Sequence, residues 1–285
     1  MKKKKDKRVL QIPNYIKKTA KTLSFFSDKL AAKFALDLFD RPIKFPMPER
    51  EKHMDISSTQ YSYILPKCKK QINVYQYGNG SKKALLVHGW NGRGTQLVSI
   101  AKQLEKNDYT VYSFDAPGHG KTPNTRTVMI DFIEAINELS TKYKGFDIII
   151  GHSLGGMSTL NAISRGAVAR KAVTIGAGDK IQDIINDFVL QLGLKSNVGI
   201  HLKKLFEKKY SSKTADYDVY KNAEKINIPV LLIHDKNDKD VPYTTSENIN
   251  NHLKNSDLLL TEKLGHKKIL GNEDVIQKII SFANN

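Results

Sequence analysis

The run Ile148-Ile149-Ile150-Gly151-His152-Ser153-Leu154-Gly155-Gly156 limits the local geometry of this chain more narrowly than any other stretch. Three isoleucines in succession suit a strand that is buried on both faces. The residues after Gly156, to about Arg165, read as a helix, so the glycines mark a sharp strand-to-helix turn. Gly151-His152-Ser153-Leu154-Gly155 fits the pattern G-x-S-x-G, in which the serine sits in a strained backbone conformation with its hydroxyl raised above the sheet. Side chains at the flanking glycines would collide with the neighbouring strand and helix. Backbone N–H groups at the helix N-terminus point toward the serine oxygen.

Around that run, short apolar stretches alternate with helical ones. Strand-like runs fall at 61–65, 71–77, 83–88, 110–115, 146–151, 171–175, 230–234 and 257–261, with helix-like segments between most of them from residue 95 onward. The first strands lack intervening helices, which predicts a mixed α/β sheet that opens antiparallel and continues parallel, with helices on both faces. More than fifty residues separate the runs ending at 175 and starting at 230, and they hold amphipathic pieces at 181–192 and 198–210. A structureless loop of that length is unusual in a compact domain, so a small helical insertion over one end of the sheet is expected at about 178–225.

Upstream, Ile16, Ala20, Leu23, Phe26, Leu30, Phe34 and Leu38 recur at helical spacing, which predicts a helix over 10–39 with lysines mostly on its other faces. Pro42, Pro46 and Pro48 then forbid further helix and mark a linker. The expected organisation is a basic amphipathic helix and linker in 1–50, followed by one α/β domain in 51–285. Basic residues beside a moderate apolar face suit either packing on the body or weak association of residues 1–40 with an anionic membrane.

The formal net charge is +17, from 46 basic and 29 acidic side chains. The lysines are dispersed and not interleaved with aromatics as a strand-binding groove requires, so a solvated surface is expected and no nucleic-acid partner. No apolar run reaches the ~18–20 residues of a membrane span. The lysine-rich start is not followed by an apolar h-region or a cleavage site. Cys68 is the only cysteine, which excludes an intrachain disulfide and the usual thiolate metal sites. These features together fit a cytoplasmic protein, membrane-peripheral at most, with no metal or cofactor.

A nucleophilic serine needs a base, and in this architecture the partners follow in the order serine, acid, histidine, after later strands. His266, in Leu264-Gly265-His266, follows the last strand-like run and can reach back over the sheet edge. His234 ends a strand and suits packing or loop capping, and His252 lies in a polar helical segment. Asp235, Asp238 and Asp240 share the loop after one strand. Asp238 is favoured at mid-loop, shortly before Val241-Pro242, with Asp235 as the alternative. The backbone N–H groups of Trp90 and Leu154 are the expected oxyanion donors, with His88 structural. Asp115-Ala116-Pro117-Gly118-His119-Gly120-Lys121-Thr122 ends like a phosphate-binding loop. However, Asp115 replaces the first glycine and Pro117 removes a donor, which argues against nucleotide binding.

These motifs together resemble the α/β-hydrolase superfamily over about residues 61–282. The resemblance rests on His-Gly-Trp at 88–90, Asp-Ala-Pro-Gly-His-Gly at 115–120, the elbow at 151–155, Val-Pro at 241–242 and Leu-Gly-His at 264–266. It implies an α/β-hydrolase fold, an eight-stranded, mostly parallel sheet flanked by helices, with a cap inserted after the sixth strand. It also supports Asp238 as the acid, although Asp235 stands where many members carry glycine. Members with aspartate in the elbow dehalogenate or open epoxides, which Ser153 argues against. The resemblance thus implies a serine hydrolase that cleaves a small-molecule carboxylic ester, with Ser153, His266 and Asp238 as its triad. Thioesterase, amidase and acyltransferase share every motif, and a receptor with little turnover belongs to a different class that keeps the same residues.

Overall fold

A computed structural model describes residues 12–285, so Leu10 and Gln11 of the sequence-read helix lie outside the described residues. Helices α1 (Asn14–Phe26), α2 (Asp28–Phe39) and α3 (Glu49–Ser57) precede strands β1 (Thr59–Ile64), β2 (Gln71–Tyr77) and β3 (Lys82–Val87). Next come α4 (Val98–Lys106), β4 (Tyr109–Asp115), α5 (Met129–Lys142), β5 (Phe146–His152), α6 (Leu154–Ile163) and β6 (Ala169–Ile175). After β6 lie α7 (Ile181–Gln191), α8 (Ser196–Tyr210) and α9 (Val219–Ala223). The chain ends with β7 (Val230–Asp235), α10 (Thr244–Asn250), β8 (Ser256–Thr261), α11 (Gly265–Lys268) and α12 (Glu273–Asn284). Each strand lies within two residues of its sequence-read bounds.

The described residues form two compact units, 40–180 with 217–285, and 12–39 with 181–216. In the larger unit the eight strands make one sheet in the order β1-β2-β4-β3-β5-β6-β7-β8. Strand β2 runs antiparallel to both neighbours, and from β4 to β8 every pairing is parallel. This is the α/β-hydrolase arrangement implied by the sequence.

The Ile148–Ile150 run is apolar throughout because both faces of β5 are covered. Ile148 and Ile150 join Leu86, Val111, Val173, Leu231 and Ile233 in a core closed by α4 and by Val275, Ile276 and Ile279 of α12. Strand alternation turns Ile149, with Leu85 and Leu232, to the opposite face, and all three are fully buried. There α6 packs on β5 and β6, and α5 packs on α6.

The smaller unit is helical. The single helix expected over 10–39 is in fact two, because Ser27 leaves the helical region at φ −166° and ψ 127°. Its carbonyl accepts the Ala31 N–H at 3.1 Å, and the Ser24 hydroxyl donates to Asp28 Oδ1 at 2.8 Å. Ser27-Asp28 is therefore a helix start, with the acidic Asp28 in the first turn where the helix dipole favours it. On α2, Ala31, Ala32 and Ala35 are fully buried, and these small residues let it lie close against α8. Phe39 meets Phe188 of α7 and Phe206 of α8 edge-on, at centroid distances of 5.3 and 6.1 Å. The N-terminal helices thus complete a unit whose other half is the insertion after β6.

Ala35→Leu should strain that close approach and lower stability by about 1–3 kcal/mol in urea unfolding, the range for over-packing. Ile200→Ala, at a half-exposed position on α8, should change it little.

Candidate active site

Ser153 closes β5 and precedes the first turn of α6, with φ +54° and ψ −121°. Backbone in that region costs ~1–3 kcal/mol for a residue with a side chain. Two steric facts hold it there. A Cβ on Gly155 would lie 2.3 Å from the Val87 carbonyl oxygen and 2.5 Å from that of His88. A Cβ on Gly151 would lie 2.4 Å from the Gly155 carbonyl oxygen. The Ser153 N–H also donates to the Ile175 carbonyl at 2.8 Å, which ties the turn to β6.

The histidine and the acid meet at the same end of the sheet. His266 Nδ1–H donates to Asp238 Oδ2 at 2.6 Å. The other carboxylate oxygen, Oδ1, accepts the N–H groups of Asp240 and Val241 at 2.8 and 3.0 Å. Burial pushes the Asp238 carboxyl up. Hydrogen bonds from His234 and His266, the charge on His266 and the Val241 N–H outweigh it and hold the group well below the usual carboxylate range. Gly176, at the end of β6, sits under this pair, since a Cβ there would come within 3.2 Å of His266 Nδ1 and 3.4 Å of Asp238 Oδ2.

Asp235 does not reach His266. Its carboxylate accepts the Asn237 and Leu264 N–H groups at 2.9 and 3.0 Å and the Thr261 hydroxyl at 2.9 Å, fastening the loop after β7 to the loop after β8. Asp240 is exposed. His234 is fully buried; its Nε2–H donates to the Val241 carbonyl at 3.0 Å, and its Nδ1 pairs with the Ser246 hydroxyl at 2.7 Å. Its Nε2 also lies 3.4 Å from Asp238 Oδ2, so His234 braces the acid's loop from beneath.

Three further histidines support these loops, and two of them are not singled out by sequence reasoning. His152 Nε2–H donates to the His266 carbonyl at 2.9 Å, and the two rings lie 4.6 Å apart. His88 donates from Nδ1 to the Gly89 carbonyl at 2.7 Å and accepts the Ala116 N–H on Nε2 at 3.1 Å. His119 donates to the Pro117 carbonyl at 3.0 Å, accepts the Asn91 N–H at 3.2 Å and stacks edge-on against Trp90. His88 and His119 therefore fix the loop that carries Trp90. Among the described residues neither the Trp90 nor the Leu154 N–H has a hydrogen-bond partner, and Leu154 is the first residue of its helix.

Asp115 fastens a third loop, accepting the Gly94 and Lys121 N–H groups at 2.7 and 2.8 Å and the Tyr75 hydroxyl at 2.8 Å. A cleft lined by Lys44, Tyr75, Arg93 and Lys121 opens beside it. Its cations are engaged: Lys44 with the Thr122 carbonyl, Arg93 with Glu51 at 3.5 Å and Lys121 with Asp55 at 2.5 Å. Among the described residues Asp238, Asp240 and His266 bring ligand-type atoms within 4.8 Å of one another. The 2.6 Å separation of His266 Nδ1 and Asp238 Oδ2 is that of a hydrogen bond, so the trio is a hydrogen-bonded pair with an exposed neighbour.

The sequence pattern of the Alpha/beta hydrolase family matches residues 84–244, and that of TAP-like protein matches residues 209–284. Serine hydrolase BPHL of Homo sapiens is 26% identical over 239 residues, covering 73% of this chain and 81% of its own. Pimeloyl-[acyl-carrier protein] methyl ester esterase of Neisseria meningitidis is 22% identical, over 68% of this chain and 89% of its own. An esterase from Exiguobacterium antarcticum superimposes with a TM-score of 0.63 at 17% identity, covering 80% of this chain and 100% of its own.

Burial holds His88 near pKa 4 and His152 near 3, and it keeps His119 well below the ordinary value. Unfolding restores normal imidazoles, so the unfolded chain binds more protons between those values and about pH 6.5. Stability is complete above that window and is lost as pH falls through it. Asp115, which burial pushes up, offsets part of the effect. Urea unfolding near pH 5.5 should show stability falling by roughly 2–4 kcal/mol per pH unit. A flat profile between pH 5 and 7 would mean that these rings are not held neutral.

Proposed function

The chain belongs to the α/β-hydrolase family, and from that premise we propose that it cleaves a carboxylic ester through an acyl-enzyme on Ser153, with His266 as general base and Asp238 as the acid that orients it. The observation that carries this reading is the His266 Nδ1–H···Asp238 bond of 2.6 Å at the sheet end where the strained Ser153 stands. That bond fixes the tautomer in which Nε2 is unprotonated and able to accept a proton.

In the first step Ser153 Oγ attacks the ester carbonyl carbon while His266 Nε2 takes the hydroxyl proton. Negative charge moves to the carbonyl oxygen, where the Trp90 and Leu154 N–H groups are available as donors. The tetrahedral intermediate collapses, the alcohol leaves with the proton from His266, and the acyl group remains on Ser153. Water repeats the sequence with His266 again as base, and releases the acid. Asp238 stays ionised throughout, because its hydrogen bonds hold it low, and it stabilises the imidazolium of each step. The two relatives support this chemistry: one is named a serine hydrolase and the other a methyl ester esterase.

A fluorophosphonate should label the protein once, at Ser153, and Ser153→Ala should remove both labelling and turnover of short-chain nitrophenyl esters. His266→Ala should lower labelling by at least about a hundredfold, since an unassisted hydroxyl reacts negligibly. Asp238→Asn should cut kcat by roughly 10²–10⁴ in a stably folded protein. Asp235→Asn should chiefly lower stability, by about 1–3 kcal/mol, through the N–H groups it leaves unpaired. An adduct on another residue, or full labelling of His266→Ala, would overturn the assignment.

A further inference from the structure

The helical unit carries an exposed apolar surface that its own packing does not use. Phe25 is 86% exposed, Phe26 74%, Tyr15 70% and Leu30 50%, although α1 and α2 bury other side chains against their neighbours. Tyr15, Lys18, Thr22 and Phe25 follow one another at spacings of three and four, so they share one face of α1. Phe25 and Phe26 stand edge-to-face at 5.4 Å, next to the break at Ser27, and Leu30 lies in the first turn of the next helix. Exposed lysines frame them: Lys18 and Lys21 on α1, Lys29 and Lys33 on α2.

We propose that the corner between α1 and α2 docks on an anionic phospholipid surface, with Phe25, Phe26 and Leu30 entering the headgroup–acyl boundary and the surrounding lysines meeting lipid phosphates. Adjacent aromatic and aliphatic side chains at a helix end, flanked by cations, match the two halves of such an interface. Charge argues for this occupant over the others. Residues 1–39 hold eleven basic side chains against three acidic ones, which leaves a net +8 of the chain's +17. A second copy placed on the same patch would set these cations against each other. A nucleic acid would satisfy the lysines and leave the phenylalanines in water. The inference stands apart from the ester chemistry, because it uses none of the catalytic residues.

The test is sedimentation of the full chain with vesicles of phosphatidylcholine alone and of phosphatidylcholine mixed with phosphatidylglycerol. The wild-type protein should partition at least about tenfold more strongly onto the anionic vesicles. Phe25→Ser with Phe26→Ser should weaken that partitioning by about tenfold or more. Lys29→Glu with Lys33→Glu should weaken it on anionic vesicles only. Ile56→Ser, at a position 80% exposed in the other unit, should leave it unchanged. Three results would overturn the proposal: no partitioning of the wild type, equal partitioning on both vesicles, or a phenylalanine double variant that binds as well as wild type. Size-exclusion chromatography adds a fourth, in which the phenylalanine substitutions turn a dimer into a monomer and the patch belongs to a second copy. Salt-sensitive retention of duplex DNA without vesicle binding would likewise overturn it.

Discussion

The absence of a Cβ at Gly155 is the constraint on which the candidate site depends. It allows the first turn of α6 to press onto the carbonyl oxygens at the end of β3, closer than any side chain permits. That contact brings the Leu154 N–H, the Trp90 loop and the Ser153 hydroxyl to one end of the sheet. Gly89 extends the same close approach, because a Cβ there would lie 3.1 Å from that of Ser153. The strain at Ser153 persists because its neighbours over-determine it, through contact on one side and the bond to Ile175 on the other.

The histidines show how loops can be held rigidly without a continuous ladder of backbone bonds. A neutral imidazole offers one donor and one acceptor in a flat apolar ring, so it can bridge two loops and still pack like a core side chain. His88 joins the loops after β3 and β4, and His152 reaches the loop after β8. His234 spans its own strand end, the Val241 carbonyl and Ser246. His152 keeps its Nδ1 without a partner among the described residues, against Gly89. Burying an unsatisfied nitrogen is unfavourable, and the bond to the His266 carbonyl offsets it.

What the sequence reveals follows the range of the interactions involved. The strands are legible because both-face burial writes itself as apolar runs such as Ile148–Ile150. The elbow is legible because its motif is confined to five consecutive residues, although the contact that demands Gly155 is with the distant Val87 and His88. In the sequence the choice among Asp235, Asp238 and Asp240 rests on mid-loop position, spacing before Val241-Pro242 and the family resemblance, whereas the structure separates them by which carboxylate meets His266. The break at Ser27 is hidden beneath an unbroken apolar period. Ser27-Asp28 is a helix-start signal, but periodicity of 3.6 does not reveal that one helix has become two. The bond between His152 and His266 joins residues 114 positions apart, and no local pattern predicts it.

The helical unit draws its two halves from distant parts of the chain, α1 and α2 before residue 40 and α7 and α8 beyond residue 180. During synthesis, at roughly 5–20 residues per second, the first half therefore emerges about 9–35 s before the second is complete. For that interval the alanine-rich face of α2 has no partner, and six of the eight strands must be translated before it gains one. Closing this unit is thus a late, long-range event on the ribosome, and nascent chains would carry the bare helix pair until it occurs.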